Sequence, residues 1–234
     1  MPYQFRLLSD TIYGYMWPKW VKSGERSEFR VHSVEAYKLS LWTYGLEKEY
    51  IKPLEWFDEH GPRSTMQITP DGNYVQVGVQ WNKIGCGSPH HTQLVRGPER
   101  SGLSYLHAET ESGKFFSFPW VIAPTKPRAP ICVLASSMTW NAYNNFGGRI
   151  NYVNANHLPD TPTVNSRQDL ARYNLLSSEA EWRVMDAEYA PISCERPEPF
   201  NHVPKDTEST DPLAGRQFCH LAPAEWRLLA WLER

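Results

Sequence analysis

The sequence has no uninterrupted apolar run approaching the ~20 residues that span a bilayer. Its first residues, Met1-Pro2-Tyr3-Gln4-Phe5-Arg6, hold no apolar core of signal-peptide length. Basic charge is not in excess either. The formal net charge is −2 and no basic stripe occurs, which disfavours nucleic-acid binding by counterion release. Cysteine is sparse: Cys86, Cys132, Cys194 and Cys219 are scattered and form neither a CxxC pair nor a dense disulfide frame. Without a signal segment, reduced thiols are the default. These absences point to a soluble, cytoplasmic chain. Aromatic residues, by contrast, are abundant, with ten Trp and twelve Tyr. They bury large areas and also line binding pockets. Hydrophobic residues at 41% and charged residues at 21% allow a packed core. The 234 residues leave room for one large domain or two smaller ones.

The chain turns on one stretch. Ile131-Cys132-Val133-Leu134-Ala135 follows a proline cluster and reads as a buried strand of a parallel sheet. Ligands of open α/β sheets sit beyond the carboxyl ends of such strands. Soon after it comes Trp140-Asn141-Ala142-Tyr143-Asn144-Asn145-Phe146-Gly147-Gly148-Arg149. Amides favour turns and glycines admit close backbone approach. An aromatic and polar turn in that place suggests a site; a hydrogen-bonded structural turn is the plain alternative.

Residues 1–124 read mostly as strands. Phe29 and Val31 alternate with polar neighbours, and Tyr37, Leu39 and Leu41 alternate with Lys38 and Ser40. Tyr74, Val77 and Val79 lie in another β-rich run. Leu103, Tyr105 and His107 precede a turn at Glu111-Ser112-Gly113, after which Phe115 to Ile122 forms the return strand. Period-two alternation with turns between argues an antiparallel β-sandwich. The aromatic cluster Tyr13-Gly14-Tyr15-Met16-Trp17-Pro18-Lys19-Trp20 reads as packing or interface before sugar stacking. His90 and His91 are adjacent, so on a strand they point to opposite faces and make poor joint metal ligands. His107 reads as a satisfied sheet histidine.

Pro124, Pro127 and Pro130 stop both helix and central strand, so residues 125–130 read as a linker. Residues 131–234 then read as the N-terminal part of an α/β domain. The fold class is α+β and multidomain. Ser166 with Asp169, and Ser178 with Glu181, are capping-box patterns that predict helix starts. The second would place Trp182, Met185 and Tyr189 on one face. Glu195-Arg196-Pro197-Glu198-Pro199-Phe200-Asn201-His202 is a charged, proline-stiffened loop, suited either to position a substrate or to lock a turn by ion pairing. A last helix starts near Pro223, with Glu225 matching its dipole and Trp226, Leu228, Leu229, Trp231 and Leu232 as an apolar face. One visible sheet strand in this half cannot make a sheet, so a fragment, or a fold completed by another polypeptide, is expected.

The run from Met138 to Gly148 resembles the large (beta) subunit of N,N-dimethylformamidase. So do Phe116-Ser117-Phe118-Pro119-Trp120, the Glu195–His202 loop, and Gly215-Arg216-Gln217-Phe218-Cys219-His220-Leu221-Ala222-Pro223-Ala224-Glu225-Trp226. The likeness runs through nearly the whole chain. It implies β-sandwich-type domains before a catalytic domain like the class I glutamine amidotransferases, only the start of which is expected here. It implies a small helical subunit as partner, homo-oligomerisation of the large subunit, and hydrolysis of N,N-dimethylformamide or related small N-substituted formamides to amine and formate. It further implies mononuclear iron, ferric by donor type, held by two tyrosines and one glutamate. Tyr143 matches the motif tyrosine, and Tyr189 is the candidate second ligand with Tyr152 as its alternative. The family glutamate belongs to a His-Pro-Glu motif that does not occur in this sequence. The expectation is therefore an internal fragment, inactive alone, whose third ligand lies outside it. Asn141, Asn145 and His202 are the candidate oxyanion donors beside Tyr143.

Two other readings compete. A cysteine-dependent amidase would use Cys219 beside His220, though adjacent residues rarely face each other and no charge relay is evident. Cys132 reads as buried packing. A non-catalytic binding or structural module would present Tyr13, Trp17 and Trp20 to a ligand or partner.

Overall fold

The computed structural model describes residues 12–33, 35–57, 93–144, 154–155, 182–183, 193–198, 201 and 222–234. Its strands are β1 (Ile12–Trp17), β2 (Trp20–Lys22), β3 (Arg26–Ser33), β4 (Tyr37–Tyr44), β5 (Lys48–Phe57), β6 (Gln93–Arg96), β7 (Gly102–Thr110), β8 (Phe115–Ala123), β9 (Asn154–Ala155) and β10 (Trp182–Arg183). Its helices are α1 (Ser137–Tyr143) and α2 (Ala222–Leu232).

One sheet has the order β1-β3-β6 and a second the order β2-β8-β7-β4-β5. All pairings in them are antiparallel except the parallel pairing of β2 with β8. The two sheets share one apolar core, an arrangement compatible with a β-sandwich. Ile12, Tyr13, Tyr15 and Val31 from the first meet Leu39, Leu106, Phe116, Phe118 and Trp120 from the second. Tyr13 packs edge-on to Phe116, with ring centroids 5.1 Å apart. Gly14 permits that approach: a Cβ there would lie 2.6 Å from the Phe118 ring.

Residue pattern explains the layers. β4 buries Tyr37, Leu39 and Leu41 and turns Lys38 outward, as alternation demands. β7 lies between β8 and β4 and is buried on both faces over most of its length. β5 is an edge strand, where Pro53 costs no ladder hydrogen bond and exposed Glu49 and Lys52 discourage further pairing. The β7–β8 turn closes at Gly113, whose φ of 78° suits glycine. His107 is buried, and its Nδ1 lies 2.8 Å from the Ser117 hydroxyl on β8, so it is a satisfied sheet histidine. The aromatic cluster is largely packing: Tyr13 and Tyr15 are core, while Trp20 is exposed. Tyr74, Val77, Val79, His90 and His91 lie outside the described residues.

Three expectations are corrected. Residues 131–135 form no strand: Ile131 is 64% and Leu134 88% exposed, and Cys132 is exposed rather than buried. A central parallel strand needs hydrogen-bonded neighbours on both edges, and no described residue pairs with this run. The turn expected at Trp140 is helical as far as Tyr143. Trp182 sits in β10, paired antiparallel with Ala155 in β9, and not in a helix begun at Ser178. In a segment of mixed propensity, tertiary pairing overrides a local capping signal. The apolar face expected on α2 is present and is covered in part. Trp226 and Ala230 are buried, while Leu228, Trp231 and Leu232 face solvent.

Among the described residues, no helix is long and apolar enough to cross a membrane.

Candidate functional site

Helix α1 has seven residues, too few to be stable by propensity alone. It is held by packing. Trp140 is buried in a second cluster with Tyr44, Leu103, Tyr105, Trp226 and Ala230. Its indole N–H donates to the Glu225 carboxylate on α2 at 3.0 Å. At the other end the chain leaves the helix at Asn144, which is extended, with φ −71° and ψ 113°. The Asn144 N–H donates to the Asn141 carbonyl at 3.2 Å.

The segment Ser193–Glu198 packs on this helix end. Arg196 is fully buried. Its Nε donates to the Ser193 carbonyl at 3.1 Å. Its Nη2 reaches the Asn141 carbonyl at 3.3 Å and the Asn141 Oδ1 at 3.4 Å. Asn144 Nδ2 donates to the Pro197 carbonyl at 2.8 Å. Asn141 and Asn144, two positions before and one after Tyr143, are therefore both engaged by the same loop.

The loop's two carboxylates turn toward the first sheet. Glu198 pairs with Lys19, which follows β1, and both side chains are buried. Asn201 Nδ2 donates to the other Glu198 oxygen at 3.1 Å, and its backbone N–H to the Glu198 carbonyl at 2.9 Å. Glu195 pairs with Arg30 on β3. Arg30 also donates to Glu28 Oε2 from Nε at 3.1 Å and Nη2 at 2.9 Å, and to the Tyr15 hydroxyl from Nη1 at 3.1 Å. Two cations, Lys19 and Arg30, thus meet three carboxylates, Glu28, Glu195 and Glu198, while the Arg196 guanidinium donates to carbonyl and amide oxygens. Buried charge is tolerated when paired and hydrogen-bonded in this way. Burial raises the Tyr15 pKa well above its ordinary value, and Arg30 only partly opposes this. Burial alone would favour neutral Arg30. Tyr15 and the hydrogen-bonded carboxylates outweigh it and hold the guanidinium charged.

Of the residues expected at the site, Asn141 is buried in this cluster. Tyr143 is the last residue of α1; its side chain lies outside the described set, as do Asn145, Tyr152, Tyr189 and His202. Among the described residues there is no group of three or more His, Cys, Asp or Glu able to hold a metal. Sequence reasoning missed Lys19, Arg30 and Asn144 as parts of the cluster. The one available signal was a lone cation, Lys19, set among the aromatics of Tyr13–Trp20. Between the two roles open to the Glu195–His202 loop, the ion pairs are observed; the Glu198 pair is buried and the Glu195 pair half-buried.

Residues 57–234 match the family described as N,N-dimethylformamidase beta subunit-like, C-terminal. The chain belongs to this family. The match takes in α1, the 193–198 segment and α2, while Lys19 and Arg30 lie before it. No curated protein and no solved structure matches the chain. Iron at Tyr143 is an expectation carried by the family resemblance, and the donor types fit it. Phenolate and carboxylate are hard oxygen ligands suited to a hard ferric ion.

Proposed function

We propose that the chain forms part of an iron-dependent amidohydrolase that cleaves N,N-dimethylformamide or related small N-substituted formamides to amine and formate. Family membership carries this reading, and the polar cluster that fixes both sides of Tyr143 supports it. Tyr143 and Tyr189, or Tyr152 in its place, would hold the metal, with a carboxylate from outside these residues completing the set. When bound, ferric iron supplies Lewis acidity toward the amide carbonyl. The catalytic domain would be of the class I glutamine amidotransferase type, and a small helical subunit and further copies of the large subunit would complete the enzyme.

The chain's own residues orient the substrate. The Arg196 guanidinium donates to the Asn141 Oδ1, which orients that amide with its NH2 as the donor end. It would meet the carbonyl oxygen as that oxygen gains negative charge, together with Asn145 and His202. Water adds hydroxyl to the carbonyl carbon, the C–N bond breaks, and the amine leaves with the proton.

The test uses the full-length protein with its partner subunit, loaded with iron and given N,N-dimethylformamide. Equimolar formate and dimethylamine are expected. Tyr143→Phe should lower kcat by at least about 100-fold, the size of a lost electrostatic contribution. Turnover that survives iron chelation but ends on thiol alkylation would replace this reading with a cysteine amidase.

A further inference from the structure

We infer that Arg196 is a positioning residue: it caps the C-terminal turn of α1 from another part of the chain and so sets the geometry of Asn141, Tyr143 and Asn144. The catalytic half of this inference rests on the amidohydrolase reading, and the capping half stands alone.

The last turn of any helix leaves carbonyls without intrahelical donors. Here Asn141 O is such a carbonyl, and it receives the Asn144 N–H and the Arg196 guanidinium. A cation at a helix C-terminus also opposes the negative end of the helix dipole. The guanidinium is fully buried, so water does not screen it. Its Nε is anchored on the Ser193 carbonyl, which fixes the plane in which Nη2 meets Asn141. One residue on, the Pro197 carbonyl takes the Asn144 side chain. The 193–198 segment therefore grips α1 at two points that bracket Tyr143. Its own position is set by Glu195 on Arg30 and Glu198 on Lys19. The sandwich sheet thus acts as the fixed base against which the α1 turn is aligned. Misplacing a catalytic group by about 1 Å can cost 100-fold in rate, so the alignment belongs to function as well as to stability.

Amide hydrogen exchange and steady-state kinetics on the full-length protein test this with Arg196→Met and Arg196→Lys. Capping predicts that Arg196→Met speeds exchange at residues 141–144 by at least about tenfold. Arg196→Lys keeps the charge but loses the fixed plane, so it should speed exchange there less. Peptides covering β7 and β8 should keep wild-type rates in the Lys variant. Wild-type exchange at 141–144 in both variants overturns the assignment. If Arg196→Met also loses protection in β7 and β8, the Lys variant alone decides by the same criterion. For catalysis, kcat should fall at least about tenfold with KM within twofold. Faster exchange at 141–144 with unchanged kcat overturns the positioning role. A wild-type protein with no formamide turnover sinks the amidohydrolase reading and leaves the exchange result to judge the cap.

Discussion

Tyr15 and Arg30 face each other across β1 and β3, and their pairing has a pH signature. Burial holds the Tyr15 proton beyond the ordinary range, whereas an unfolded tyrosine loses it near pH ~10. Above that pH the native state keeps a proton that the unfolded chain has released. Stability therefore falls as pH rises, and the contribution is intact below pH ~10. Tyr15→Phe should flatten the decline of the urea midpoint above about pH 9.5. A variant whose midpoint falls as steeply as wild type would show that the phenol is not the source. Legibility at this scale followed sequence separation. His107 was readable as satisfied because Ser117 stands opposite it in a hairpin. Arg30 read as a polar neighbour of Phe29 and Val31, yet it is buried. One of its acids, Glu28, lies two residues before it on the same strand, but the other, Glu195, is 165 residues away, and no local pattern encodes that one.

Single elements were readable when the pattern was local and blurred where burial depends on neighbours. The alternation in β4 needs only its own residues, and the structure follows it. The proline and acid at the start of α2 likewise marked a real helix. The apolar face of that helix is covered only in part among the described residues. Trp226 is 4% and Trp231 68% exposed. Trp226 packs on Tyr44, and its indole N–H donates to the Gly45 carbonyl. Glu233, just past the helix, accepts from the Leu46 N–H at 2.9 Å and pairs with Arg100. Trp226→Ala should cost about 3–5 kcal/mol, the range for a buried Trp truncation. Trp231→Ala should stay within about 0.5 kcal/mol, as for an exposed site. Urea unfolding of both variants measures the difference, and equal losses would mean the whole face is covered in solution. The run 131–135 failed for a related reason. A continuous apolar run states that it suits a buried strand, but not where the neighbouring strands come from.

Across the whole molecule, the downstream segments are tied to the sheets by ion pairs that span most of the chain. Lys19 and Glu198 are separated by 179 positions and both are buried. Such a pair is weak evidence for stability when compared with apolar packing, because both charges lose their water. Breaking it from one side is a different matter, since the remaining charge is left buried alone. Lys19→Met should therefore destabilise the protein by about 3–5 kcal/mol. Lys19→Met with Glu198→Gln should lose less than the two single changes added together. The cycle should return a coupling of about 2 kcal/mol or more, toward the upper end for contacting residues. Exposed pairs such as Arg100 with Glu49, 3.8 Å apart, should couple far more weakly. The contrast follows from solvent alone: water screens the second pair and is excluded from the first. A Lys19–Glu198 coupling below about 0.5 kcal/mol would mean that hydrogen bonds such as Asn144 to Pro197 hold the loop without the pair. The β sheets would then contribute to the alignment at α1 through the Arg30–Glu195 pair and not through Lys19.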